Sequence, residues 1–103
     1  MTARRRLPNR RASVNVELVV AGLRYTATFS RYPDGLPYEV FLQNHKPGSQ
    51  SDFHARDAAI VASLALQHGV PLETIRRALL RDPQGRASTP LGVALDLIAG
   101  SQP

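Results

Sequence analysis

The chain has 103 residues, no cysteine and a formal net charge of +5 at pH 7. This length allows one domain with a modest core, and the lack of cysteine excludes disulfides, thiolate metal sites and thiol chemistry. No apolar stretch is long enough for a membrane span, and no signal-peptide apolar segment follows the arginine-rich N-terminus. We therefore expect a cytoplasmic protein without membrane contact.

The charge excess lies entirely in residues 1–13. Five of the 13 basic residues and no acid fall there, so residues 14–103 hold eight basic and eight acidic residues. The five are Arg4, Arg5, Arg6, Arg10 and Arg11. Without apolar periodicity, residues 1–13 are predicted to be a disordered tail. Such a tail is a candidate for weak, salt-dependent polyanion binding, with a purely solubilising tail as the alternative.

Three strands are predicted between residues 14 and 43. Apolar residues alternate with others over 14–20 and over 23–30, as in strands with one buried face. Ala21-Gly22 and Pro33-Asp34-Gly35 predict tight turns, and 38–43 is the third strand. The short connections predict an antiparallel meander. Its solvated face carries a polar ladder of Arg24, Thr26, Thr28 and Ser30.

Helix A is predicted over residues 52–68, with Ser51 or Asp52 as its cap. It is apolar almost all round, which predicts burial on several sides. The elements that bury helix A could be the other helices alone or, in part, a second copy of the chain. The sequence therefore leaves the oligomeric state open.

Two further helices are predicted after Gly69. Pro71 begins the second, with Leu72, Ile75, Ala78 and Leu79 facing inward and Arg76, Arg77 and Arg81 in solvent. Thr89-Pro90 is a cap followed by a first-turn proline, and it begins the third helix, which ends before Gly100. The predicted fold class is α+β. A three-stranded antiparallel β-meander is followed by three α-helices packed on one face of the sheet, in a single domain over residues 14–100.

The loop between the third strand and helix A concentrates the polar residues of the domain. Free backbone N–H groups at the start of a helix are places where anions bind. The candidate ligand-binding residues, as donors and orienting groups, are Asn44, His45, Lys46, Ser49, Asp52 and Arg56. Ordinary loop and capping interactions are the alternative for the same set.

No catalytic, metal or cofactor site is predicted. The three histidines, His45, His54 and His68, lack a compact metal-ligand spacing. No strand–turn–helix nucleophile motif is present. A small independent hydrolase would depend on His45 and Asp52 alone.

Several segments, in a fixed order, carry a family resemblance. They are Tyr38-Glu39-Val40-Phe41-Leu42, the helical run 57–70, Pro71-Leu72-Glu73, and Leu80-Arg81-Asp82-Pro83-Gln84-Gly85. Together they resemble the TSCPD module at the C-terminus of ribonucleotide reductases, especially the adenosylcobalamin-dependent class, and its small free-standing relatives. The resemblance covers residues 23–99. The family's Thr-Ser-Cys-Pro-Asp signature falls on 87–91, where Ser88 and Pro90 are kept, while Thr89 replaces the cysteine and Leu91 the aspartate.

The resemblance implies a non-catalytic accessory or binding module linked to deoxyribonucleotide metabolism and DNA replication. Ribonucleotide reduction needs a thiyl cysteine and a reducing cysteine pair, which a chain without cysteine cannot supply. The expected partner is a ribonucleotide reductase subunit or another protein. An anionic or nucleotide ligand at loop 44–52 is the other form of this hypothesis. The alternative function is a small basic nucleic-acid-associated protein that acts through its N-terminal arginines.

Overall fold

The computed structural model describes residues 3–9 and 12–101. Within them, three strands precede three helices: β1 (Ser13–Val20), β2 (Leu23–Arg31), β3 (Pro37–Asn44), α1 (Gln50–Gln67), α2 (Leu72–Ala78) and α3 (Pro90–Gly100). The predicted α+β fold class is confirmed, and every strand boundary lies within one residue of its predicted position. None of the helices described is both long and apolar enough to cross a membrane.

The sheet is an antiparallel meander in the order β1-β2-β3. Val16 of β1 pairs with Ala27, and Phe29 of β2 pairs with Val40. The turn between β1 and β2 has positive φ at both central residues, 52° at Ala21 and 76° at Gly22. Those angles are typical of the two-residue turns that match the right-handed twist of a hairpin.

The core lies between one face of the sheet and the helices. It consists of alternate residues of β2 and β3 packed against α1 and α3, with Val40, Leu95 and Ile98 all fully buried. α1 packs on β3, and α3 contacts all three strands. On the opposite face, Thr26 and Thr28 donate hydrogen bonds to Glu17 and Asn15 of β1. The polar ladder therefore lies on the solvated face, except that Ser30 is buried.

The prediction that helix A is buried on several sides was wrong. α1 contacts the domain through a face of small residues that includes Ala55, Ala59 and Ala62. The opposite face carries exposed Phe53, Ile60, Val61 and Leu64, each between 43% and 66% exposed. α2 does not cover this face because it packs chiefly on α3. An apolar helix is thus left with one side in solvent.

The prediction that Arg76 and Arg81 are solvated was also wrong. Arg76 Nε lies 2.8 Å from Asp96 Oδ1, and the two terminal nitrogens of Arg81 lie 2.9 Å and 2.8 Å from Asp96 Oδ2 and Oδ1. The hydrogen bonds from Arg81 and then Arg76 lower the pKa of Asp96 to about 2. Ala78, predicted to face inward, is exposed. These ion pairs join α2 and the segment after it to α3.

Candidate functional site

Asp52 is the centre of the polar loop. Its side chain is fully buried, and its two carboxylate oxygens accept the backbone N–H groups of Asn44, at 3.0 Å, and Gly48, at 3.2 Å. The bond from Asn44 is the main reason that the pKa of Asp52 lies below its ordinary value. The bond from Gly48 and the nearby charge of Arg56 act in the same direction, and burial opposes them. Asp52 is therefore a buried carboxylate at the start of α1.

Ser49, rather than Ser51 or Asp52, is the N-cap of α1. Its Oγ accepts the N–H of Asp52 at 3.2 Å and donates to the carbonyl of Lys46 at 2.8 Å. The helix consequently begins two residues earlier than predicted. A cap of this type satisfies one of the free N–H groups of the first turn, so Ser49 uses part of the donor capacity on which an anion would depend.

The structure brings four of the six candidate side chains together. Asn44, Ser49, Asp52 and Arg56 lie around the start of α1, with Arg56 Nη1 3.6 Å from Asp52 Oδ2. Lys46 joins them only through its backbone, whose N–H donates to Asn44 Oδ1 at 2.7 Å. Among the described residues, Asn44 Nδ2 is a buried donor without a hydrogen-bond partner.

His45 is directed away from this group. Its Nε2 lies 2.9 Å from Glu17 Oε2 and 3.1 Å from Thr26 Oγ1, on the solvated face of the sheet. His45 and Asp52 therefore do not form the pair that an independent hydrolase would need.

The start of α1 thus already holds an anion, which is the Asp52 carboxylate of the chain itself. The Asp52 carboxylate occupies backbone donors that a phosphate would use, and its negative charge opposes a second anion at the same helix start. Anion binding by the six candidate residues stays a prediction. What the geometry supports directly is a rigid junction between β3 and α1.

Part of the arginine-rich segment contacts the domain. The Arg5 guanidinium lies 3.7 Å from the centre of the Tyr32 ring and 2.9 Å from Asp34 Oδ2, and Arg4 donates to the Gln67 side chain. Arg4 and Arg5 already have partners within the chain and are therefore less available to a polyanion. Arg10 and Arg11 lie outside the described residues. The disorder predicted for residues 1–13 stays a prediction.

A cleft that the sequence did not predict lies between α1 and the start of α3. It has a volume of about 460 Å³. Its walls are mostly apolar, with hydroxyl and imidazole groups among them: Tyr25, Ser51, His54, Ala55, Ala58, Leu79, Leu80, Thr89, Pro90 and Leu91. Leu80 is 73% exposed. Such a concave apolar surface with a few polar groups is typical of binding sites. The sequence signal for this cleft was Leu80, an apolar residue directly before the polar segment Arg81-Asp82-Pro83.

In the part of the chain that the structure describes, no three His, Cys, Asp or Glu side chains come together in a way that could hold a metal ion. Thr89, which the sequence resemblance sets in place of a cysteine, is the N-cap of α3 and accepts the N–H of Gly92 at 3.2 Å.

The chain folds as a small α+β domain with an apolar cleft. Its sequence is similar to segments of much larger enzymes. It is 36% identical over 73 residues to a vitamin B12-dependent ribonucleotide reductase of Bradyrhizobium diazoefficiens, a match of 71% of this chain and 6% of the reductase. The corresponding enzyme of Streptomyces coelicolor is 39% identical over 71 residues, or 69% of this chain and 7% of the enzyme. That of Rhodopirellula baltica is 38% identical over 72 residues, again 7% of the enzyme.

The chain is therefore related to a domain of the B12-dependent ribonucleotide reductases, and it spans less than a tenth of the length of each of these three relatives. No family model matches the chain. No solved structure matches it either.

Proposed function

We propose that the chain is a non-catalytic accessory module that docks on a B12-dependent ribonucleotide reductase. The similarity to a short segment of those enzymes is the observation that carries this proposal. A segment that is a small part of a large enzyme in one protein can act as a docking unit in another, because its surfaces are already shaped to contact that enzyme.

The cleft is the docking surface in this proposal. Its walls are mostly apolar, and they include both the exposed Leu80 and the buried Leu91. A volume of about 460 Å³ suits one or two large apolar side chains of a partner. Ser51, His54 and Thr89 offer hydrogen-bonding groups that can fix their orientation. The partner segment is therefore expected to present a leucine- or phenylalanine-like anchor with a polar neighbour.

The form of the hypothesis with an anionic ligand at loop 44–52 is less well supported. Asp52 already accepts the N–H groups of Asn44 and Gly48, and its charge opposes a phosphate. The nucleic-acid alternative has no specific support either, because Arg5 is paired with Asp34 and stacked on Tyr32. Docking on a protein is consequently the form of the hypothesis with the stronger support.

The test is an NMR titration of the isotope-labelled chain with purified B12-dependent reductase from the same organism. We expect amide shifts at Leu79, Leu80 and Leu91, and their loss in Leu80→Asp. Val19→Asp is the matched control, because Val19 is 65% exposed on β1, away from the cleft. No binding, or equal binding by Leu80→Asp, contradicts docking through the cleft. Parallel titrations with ribonucleotides, deoxyribonucleotides and phosphate are expected to leave residues 44–56 unshifted. Shifts there would favour the anionic ligand instead.

A further inference from the structure

The outward face of α1 is an apolar stripe that no element of the described chain covers. Phe53, Ile60, Val61 and Leu64 are 48%, 51%, 66% and 43% exposed. At 100° per residue they span an arc of about 100°, the width with which a helix normally faces a core. Clusters of exposed apolar side chains of this kind mark interaction surfaces.

The stripe has the spacing of a helix–helix seam. Asp57, Val61, Leu64 and His68 follow one another at intervals of four, three and four residues, which is the repeat that keeps side chains on a line between two packed helices. Val61 and Leu64 are at the centre of this seam. Asp57 and His68 are its two ends.

The ends of the seam carry complementary groups. The Asp57 carboxylate has no ion pair or side-chain hydrogen bond among the described residues. The Nδ1–H of His68 donates to the Leu64 carbonyl of its own helix at 2.8 Å, and Nε2 makes no hydrogen bond among the described residues. Because the Leu64 carbonyl can only accept, Nδ1 carries a proton, and Nε2 can donate to a carboxylate when the imidazole is in its protonated form. An acid and a protonated imidazole at equal distances from an apolar centre make the surface self-complementary.

We propose that two copies of this chain pair through α1 in antiparallel orientation about a two-fold axis between Val61 and Leu64. In this arrangement Val61 of one copy packs on Leu64 of the other, and Asp57 faces His68 at both ends. A parallel pair would place His68 against His68 and Asp57 against Asp57, so that two carboxylates would oppose each other. The antiparallel pair also sets the two helix dipoles in favourable opposition, and a two-fold contact uses the same patch on both copies.

The contact is small. α1 has 18 residues and is about 27 Å long at 1.5 Å per residue. One helix pair buries less than the roughly 1,200 Å² in total that distinguishes stable interfaces from transient ones. The dimer is therefore expected to be weak, with a dissociation constant on the order of 10 µM.

Analytical ultracentrifugation over low micromolar to high micromolar concentrations tests the pairing. The native chain is expected to pass from monomer to dimer over this range. Val61→Arg is expected to raise the dissociation constant at least about a hundredfold, because each dimer receives two buried charges. Val19→Arg is the matched control, since Val19 and Val61 are 65% and 66% exposed, and it is expected to leave the dimer unchanged. A native chain that stays monomeric throughout, or an unaffected Val61→Arg, overturns the proposal.

Cysteine cross-linking tests the register, because the natural chain has no cysteine to interfere. Val61→Cys and Leu64→Cys chains are mixed and oxidised slowly. The mixed disulfide is expected to form faster than either homodisulfide. Faster formation of the homodisulfides would overturn the antiparallel register.

This inference goes beyond docking on a reductase and uses another face of the molecule. The cleft is lined on the α1 side by Ser51, His54, Ala55 and Ala58, not by the apolar stripe. Val61→Arg should therefore still bind the reductase, and Leu80→Asp should still dimerise. Either proposal can therefore be refuted without affecting the other.

Discussion

Replacing Asp96 by asparagine tests whether its ion pairs hold α2 against α3. The fall of the Asp96 pKa from 3.8 to about 2 corresponds to about 2.4 kcal/mol at 1.36 kcal/mol per unit. The Asp96 side chain is 30% exposed, and solvent screening reduces this contribution to about 1.5–2 kcal/mol. We therefore expect Asp96→Asn to lower the free energy of unfolding at pH 7 by about 1.5–2 kcal/mol and the melting temperature by about 10 °C.

The pH dependence provides the decisive measurement. Because the folded-state pKa of Asp96 is below its unfolded value, its contribution is fully present above the unfolded pKa and is lost as the pH falls through the folded pKa. The difference in the free energy of unfolding between the native chain and the variant, measured in urea, should be largest at pH 5–7 and shrink toward pH 2. Asp57→Asn, studied at low micromolar concentration, is the control without an ion pair. A constant difference across the range, or an equal effect in the control, would refute the role given to Asp96.

Two further substitutions test local packing. Ser49→Ala should lower the free energy of unfolding, measured in urea, by about 1 kcal/mol because it removes the cap of α1, whereas Ser51→Ala should change it little. A larger loss in Ser51→Ala than in Ser49→Ala would show that the cap has been misassigned. Gly92→Ala should cost about 1–3 kcal/mol through overpacking, since a Cβ there would lie 2.9 Å from Ala87 Cβ. The double variant with Ala87→Gly should recover part of this loss, and no recovery would contradict a clash with Ala87.

The sheet and the third helix could be predicted because their signals are local. Alternation of apolar and polar residues decides which face of a strand is buried, and Thr89 followed by Pro90 marks a helix start wherever the helix then packs. Leu91, Ala94, Leu95 and Ile98, whose spacing places them on one face of that helix, are buried. These features require no knowledge of which elements lie next to one another.

The surroundings of α1 and of the arginines depend on contacts between distant residues. The sequence of an apolar helix does not show whether other elements cover one side of it or all sides. The exposure of Val61 could therefore not be inferred. Asp96 is 15 residues from Arg81 and 20 from Arg76, and no periodicity links such positions. The loop between β3 and α1 lies where the sequence predicted it, but its hydrogen bonds could not be predicted. Nothing in the sequence indicated that Asp52 would point inward and His45 outward.

The cleft residues Leu79 and Leu80 directly follow α2, which is held less firmly than α1. α1 is an 18-residue helix fixed to the sheet, whereas α2 has seven residues, none of them buried, and rests on the core through the partly buried Leu72 and Ile75 and the Asp96 ion pairs. A helix of that length has little stability of its own, and segments of this kind open locally at lower free energy than the rest of a domain. Leu79 and Leu80 are consequently expected to shift together with α2 while the strands keep their pairing, which would let the cleft adapt to anchors of different size.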